Sequence, residues 1–171
     1  FDVVIVWPKL EQALRQAISN LVAMRETEGS NIYGDFIKRA DLIAEKLAVI
    51  EERSPQVVEE YQIRLSDRIN ELLAKHNQVI EPERLLQEVV IFADRTSITE
   101  EIVRLKSHIK QFKLIIDADQ PVGRKLDFLI QEFNREANTI ASKANDYTLA
   151  QVVVEIKAEI EKIREQIQNI E

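Results

Sequence analysis

Cysteine is absent from the 171 residues, which excludes disulfides, thiol nucleophiles, Cys-ligated zinc and iron–sulfur clusters. Glycine and proline are scarce, at three and four residues, so no β-rich reading competes with a helical one. Long apolar runs are missing too. The longest is Val3 to Trp7, far below the roughly 20 residues that span a bilayer, and no signal-peptide pattern precedes it. A soluble protein of a reducing cytoplasm, with no membrane partner, is expected. A basic excess is also lacking. The net charge of −7 argues against a simple nucleic-acid binder, but its distribution weakens that objection. Residues 84–145 carry ten Lys/Arg against nine Asp/Glu between acidic flanks, and RLKSHIKQFK (Arg104 to Lys113) has four basic residues, one histidine and no acid. Finally, no Walker A loop, GxGxxG, HExxH or Ser-His-Asp arrangement is present, so the usual enzyme signatures are silent.

What remains is a chain rich in Leu, Ile, Glu, Lys, Gln and Arg, with 31% charged residues, the composition of a nearly all-helical protein. Pro8, Pro55, Pro82 and Pro121 each precede a periodic apolar pattern, as prolines of first helical turns do. Leu10, Leu14, Ala17, Leu21 and Met24 repeat at steps of four and three. Phe36, Ala40, Ile43, Leu47 and Ile50 resume the pattern one residue out of phase after GSNIYG. Either one long helix with a skip or two helices in line is expected, since each glycine costs about 1 kcal/mol against alanine. Ser54-Pro55 is expected to open a further helix ending before a His76-Asn77 turn, and Pro82 another to about Ala93. Ser97 and Glu100 have the spacing of a capping box ahead of Ile98, Ile102, Leu105, Ile109 and Phe112. Leu149, Val153, Ile156, Ile160, Ile163, Ile167 and Ile170 form a heptad seam that needs a partner helix. The expectation is an all-α protein: an elongated helical hairpin or arm plus a C-terminal helical bundle with coiled-coil-like packing. Its divisions would be residues 1–7, the remnant of a preceding segment, a helical arm over 8–81, and a C-terminal helical domain over 82–171.

The segment GRKLDFLIQEFNREANTIASKAND (Gly123 to Asp146) carries an anomaly. On a wheel with Phe133 at zero, Val122, Leu126, Leu129, Phe133, Ala137, Ile140 and Ala144 fall within about 40° of one line. One flank of that stripe collects Lys125, Phe128, Glu132, Glu136, Thr139 and Lys143. The other collects Asp127, Gln131, Asn134, Asn138 and Asn145. A merely solvated face would be filled with Glu, Lys and Arg, whereas this one gives up helix propensity for amides. Such groups either cap neighbouring helix ends or bridge subunits, or they line a polar groove for substrate, metal or both. Glu132 and Glu136 at i,i+4 project together and suit a hard cation such as Mg²⁺ or Mn²⁺. On the preceding helix, Glu101, Arg104, His108 and Gln111 form one row, with Lys106, Lys110 and Lys113 in another. His108 is the candidate general acid or base.

Three stretches carry a resemblance that periodicity does not. EVVIFADRTSITEEIVRLKSHIKQF (Glu88 to Phe112), PVGRKLDFLIQEFNREANTIASKAND (Pro121 to Asp146) and VVEIKAEIEKIREQIQNIE (Val153 to Glu171) resemble the C-terminal signature of the YicC/YloC family of bacterial stress-associated endoribonucleases. EGSNIYGDFIKRADLI and SPQVVEEYQIRL are similar to its middle region. Ala141 departs from the family pattern, where glycine is commoner. Family members carry a further N-terminal α/β domain outside these 171 residues. The resemblance implies a hexameric, divalent-metal-dependent endoribonuclease that encloses RNA in a central cavity. Its motif residues here are Glu88, Asp94, Arg95, Arg104, His108, Arg124, Asp127, Glu132, Arg135 and Glu136.

The expected function is metal-dependent cleavage of RNA phosphodiester bonds within an oligomeric cavity. Glu132 and Glu136, aided by Asp94 or Glu88, would hold Mn²⁺ or Mg²⁺, with His108 as acid or base. Arg95, Arg104, Lys106, Lys110, Arg124, Lys125, Arg135 and Lys143 would meet backbone phosphates, and Asn134 and Asn138 would meet bases or ribose hydroxyls. Expected partners are RNA, further copies of the chain and other RNA-decay enzymes. The alternative is a non-catalytic helical adaptor or scaffold that delivers RNA to another nuclease. A purely structural coiled-coil assembly piece stands behind it.

Overall fold

Helices α1 (Val3–Ala74), α2 (Pro82–Thr96), α3 (Thr99–Ile116), α4 (Gly123–Lys143) and α5 (Tyr147–Ile167) make up the regular structure of the computed structural model. It describes residues 3–74, 81–118, 120–168 and 170. No strand occurs among the described residues, so the chain is all-α as expected. The His76-Asn77 turn falls outside them.

Two expected breaks are absent from α1, which runs through Pro8 and Pro55, and at GSNIYG it takes the first of the two expected alternatives, one long helix. A Cβ added at Gly29 or Gly34 would meet nothing within 4 Å, so neither glycine serves a close approach. Ser54-Pro55 opens no new helix. An internal proline costs about 3 kcal/mol, and Arg53, just before it, is tied both within α1 and to the start of α5. Arg53 donates from Nη1 to Glu60 Oε1 at 2.5 Å and from Nη2 to Glu60 Oε2 at 2.9 Å, two fixed points on either side of Pro55. It also donates to Asp146 Oδ2 at 2.8 Å.

The chain divides into two units, residues 1–38 and 39–171. In the first, the four-three stripe is open to solvent: Trp7, Leu10, Leu14, Ile18, Leu21 and Met24 are all exposed. Arg15 donates there to Glu11, one turn away, at 3.0 Å.

The second unit is a helical bundle whose directions can be read from its ion pairs. Arg39 meets Glu159, Lys46 meets Glu155, and Arg53 meets Asp146. Numbers rise along α1 as they fall along α5, so these two run antiparallel. Asp41 with Lys113 and Glu51 with Lys106 give α3 the same antiparallel relation to α1. Helix α4 packs against both α3 and α5. Ala40, Ile43, Leu47 and Ile50 of α1, Leu105 and Phe112 of α3, Leu126, Ile130, Phe133 and Ile140 of α4, and Ile156, Ile160 and Ile163 of α5 are fully buried. At roughly 1.5–3 kcal/mol for each large apolar side chain, this burial is what holds the helices together. The seam from Leu149 to Ile167 is thus buried within the unit.

The turn between α2 and α3 departs from the capping-box expectation. Ile98, 1% exposed, takes the N-cap position of α3 without a side-chain cap. Ser97 instead ends α2, its N–H donating to the Asp94 carbonyl. Burying Ile98 moves the helix start one residue on, which breaks the Ser97–Glu100 register. Helix α2 is held to α1 by Tyr61 and Phe92, stacked at 3.7 Å between ring centroids.

Asp146 both caps α5, accepting from the Leu149 N–H at 2.9 Å, and pairs with Arg53. The Arg53 hydrogen bond, opposed by burial, holds its carboxyl below the usual aspartate range. Its folded pKa therefore lies under the unfolded value, so its contribution is present above about pH 4 and is lost as pH falls further. Asp146→Ala is expected to cost about 1–2 kcal/mol through the lost cap alone. Urea titrations at pH 7 and pH 3 should show the gap between wild type and variant shrinking at the lower pH.

Candidate active site

The seam between α3 and α4 is polar along one edge. Residues at i, i+3 and i+7 share a helix face, and Glu101, Arg104 and His108 present one such row of α3 to α4. Lys143 Nζ donates to Glu101 Oε1 at 2.8 Å, and Arg104 Nη1 lies 3.9 Å from Glu136 Oε1. Farther along, the His108 ring lies 6.4 Å from that of Phe133, and Phe112 lies 5.9 Å from it. The register is antiparallel, and it carries the α3 row onto the Glu132–Glu136 flank of α4.

The outcome is a cluster. One ligand atom each from His108, Glu132 and Glu136 lies within 4.8 Å of the other two. Glu136 is only 3% exposed, and among the described residues its one cationic partner is the distant Arg104. Glu132 is half-buried with Arg135 Nη1 at 3.6 Å. The buried Nδ1 of His108 has no hydrogen-bond partner. Burying two carboxylates beside each other is costly unless a positive charge compensates them. An imidazole nitrogen and two carboxylate oxygens are a donor set suited to Mn²⁺ and acceptable to Mg²⁺. The orphaned nitrogen and under-compensated carboxylates therefore fit a divalent cation.

Of the expected metal residues, Glu88 and Asp94 lie exposed on α2, and neither belongs to a metal-competent group among the described residues. Arg95 is likewise exposed on α2. Lys106 is tied to Glu51 of α1 at 2.6 Å, on the side of α3 that meets α1. Lys110, Arg124 and Lys125 are exposed. Arg104, beside the cluster, also donates to Glu100 at 2.8 Å.

Sequence reasoning missed the pairing of Lys143 with Glu101. Glu101 is 5% exposed, and its Oε2 has no partner. Burial raises its pKa, but Lys143, a backbone hydrogen bond and Arg104 together outweigh that and leave it below the usual glutamate range. The only sequence signal was the position of Glu101 in the Arg104–His108 row. Asn134 and Asn138 lie on the opposite flank of α4, where they line an open groove with Gln131, Arg135 and Arg164 of α5. Arg164 had no signal, because the α5 sequence was legible only as an apolar seam.

The fold and cluster together define an all-α bundle protein with a cation-competent carboxylate–imidazole centre. Residues 50–171 match the family model described as endoribonuclease YicC-like, C-terminal. The chain is 52% identical over 167 residues, 98% of its length and 57% of the relative's, to a probable endoribonuclease YicC of Clostridioides difficile (strain 630). It is 37% identical over 159 residues, 93% of its length and 54% of the relative's, to a probable endoribonuclease YicC of Haemophilus influenzae (strain ATCC 51907 / DSM 11121 / KW20 / Rd). The chain belongs to the YicC-like endoribonuclease family, and it spans a little over half the length of these two curated relatives.

Proposed function

We propose that this chain carries the catalytic centre of a divalent-metal-dependent endoribonuclease at the α3–α4 seam. The observation that carries the reading is the convergence of His108, Glu132 and Glu136 within 4.8 Å, in a chain whose relatives are named probable endoribonucleases. Glu132 and Glu136 would hold the cation, Mn²⁺ or Mg²⁺. When bound, it supplies Lewis-acid polarisation of a scissile phosphate and compensates the two carboxylates. His108 accepts the proton of the attacking hydroxyl, from water or the ribose 2′-OH, and its contact with Phe133 fixes the ring plane. Arg104 gives up its exposed pair with Glu100 to meet a phosphate oxygen, an exchange that loses little because such surface pairs are weak. Lys110, Arg124 and Lys125 add positive charge along the bundle surface.

A homo-oligomer, a hexamer by the family resemblance, belongs to the same proposal. Its support here is the exposed stripe from Trp7 to Met24, which a second apolar surface would cover.

The test is cleavage of a labelled, mixed-structure RNA with EDTA and then with Mn²⁺ or Mg²⁺. Endonucleolytic cuts that appear only with metal and vanish in Glu132→Gln/Glu136→Gln are expected. RNA binding without cutting under every condition would replace the enzyme with an adaptor that delivers RNA to another nuclease.

A further inference from the structure

The groove on the other flank of α4 has a chemistry of its own. Its polar lining is Gln131, Asn134, Arg135, Asn138 and Thr139 from α4 and Arg164 from α5. Those residues bring two cations and no carboxylate, in a chain of net charge −7. Among the described residues neither Asn134 nor Asn138 has a hydrogen-bond partner for its amide. Among the described residues the two guanidinium groups are held only by neighbours three residues away, Arg135 by Glu132 at 3.6 Å and Arg164 by Glu161 at 3.7 Å. Both contacts are long and both arginines are exposed, so a phosphate displaces them readily.

We propose that this groove is a second RNA subsite, holding one nucleotide of a single strand next to the position being cut. The proposal rests on the reading of the α3–α4 seam as the cleavage centre. Arg164 and Arg135 take the phosphate, and Asn134 and Asn138 take the hydrogen-bonding edges of the base or ribose, as single-stranded RNA recognition requires. On the helix wheel Arg135 sits on the solvent crest of α4, between the amides on one side and Glu132 on the other. The groove and the cluster lie about one helix diameter apart, roughly 10 Å, and Arg135 touches both. A strand crossing the crest at Arg135 would engage them in succession.

A contact between subunits is the competing occupant, and the lining disfavours it. The core of a protein interface is apolar and aromatic, yet no exposed large apolar side chain lines this groove. The cost in helix propensity at Asn134 and Asn138 is also explained, since an amide offers both a donor and an acceptor to a base edge.

The test measures fluorescence anisotropy of a labelled single-stranded oligoribonucleotide in EDTA, so that binding is read without cleavage. Arg164→Ala is expected to weaken binding and to reduce the slope of log K against log salt by about 0.7, the value for one phosphate contact on a single strand. Asn134→Ala/Asn138→Ala is expected to lose about fivefold in affinity per amide with the slope unchanged. Both alanines favour the helix, so unfolding would not account for a loss. Glu132→Gln/Glu136→Gln should bind at least as tightly as wild type, because Glu132 no longer competes for Arg135, and should not cleave, which separates the groove from the cleavage centre. Unchanged affinity in all groove variants overturns the subsite while leaving the cleavage centre standing. Absence of binding by the wild type overturns the subsite, and absence of metal-dependent cleavage beside it overturns the centre as well. Altered oligomer mass by light scattering at unchanged affinity assigns the groove to a neighbouring subunit instead.

Discussion

Glu136→Gln is expected to lower metal-dependent RNA cleavage by about a hundredfold or more while leaving thermal stability unchanged or raised. The two effects have one cause. A carboxylate 3% exposed, with its cationic partner 3.9 Å away, is a buried charge that little in the fold repays, so its neutral isostere relieves a desolvation cost. The same charge, beside Glu132 and His108, is what a cation would need. His108→Ala is expected to reduce the rate by about 10²–10⁴-fold, the range for removing a positioned acid or base. Stability should change little, because the lost Nδ1 was a buried polar atom without a partner, and removing such an atom offsets part of the packing lost. Mn²⁺ titration of both variants by calorimetry divides the roles. Affinity lost in Glu136→Gln and kept in His108→Ala assigns the carboxylate to the metal and the imidazole to proton transfer. Affinity lost in both makes His108 a third ligand.

Phe133→Ala is expected to destabilise the protein by about 3–5 kcal/mol, the usual cost of truncating a fully buried phenylalanine. Phe133 is 0% exposed and lies where α3 and α4 meet, beside Phe112 and His108. Its removal opens a cavity that the antiparallel helices have no means to close without breaking the Lys143–Glu101 and Arg104–Glu136 register. Phe133→Leu keeps most of the volume and should cost about 1.5 kcal/mol or less. Chemical denaturation reads both, with Leu129→Ala as a core control away from the imidazole. Cleavage by Phe133→Leu, assayed well below its melting point, should fall more than its stability does, since the ring also limits the tilt of His108.

The apolar stripes were legible because burial on one face imposes a 3.6-residue period, and the fully buried Leu126, Phe133 and Ile140 lie on the line that period drew. The rows Glu101–Arg104–His108 and Glu132–Glu136 were legible for the same reason. Their meeting across two helices depends on register, which comes from the packing of Phe112 against Phe133 and has no local signature. Pro55 misled because a proline's local cost is read from its neighbours in sequence, whereas the tie from Arg53 to Asp146 beside it spans 93 residues. Ser97 misled by a single residue, the shift that buries Ile98. Arg164 gave no signal at all, since its place in the groove is set by how α5 lies on α4.

The partners that close the bundle are far apart along the chain. Arg39 and Glu159 are separated by 120 residues, Lys46 and Glu155 by 109. At a synthesis rate of roughly 5–20 residues per second, the stripe from Ala40 to Ile50 leaves the ribosome on the order of ten seconds before α5 exists to cover it. During translation this unit is therefore a half-built bundle whose apolar stripe stays uncovered on the α5 side until that helix emerges.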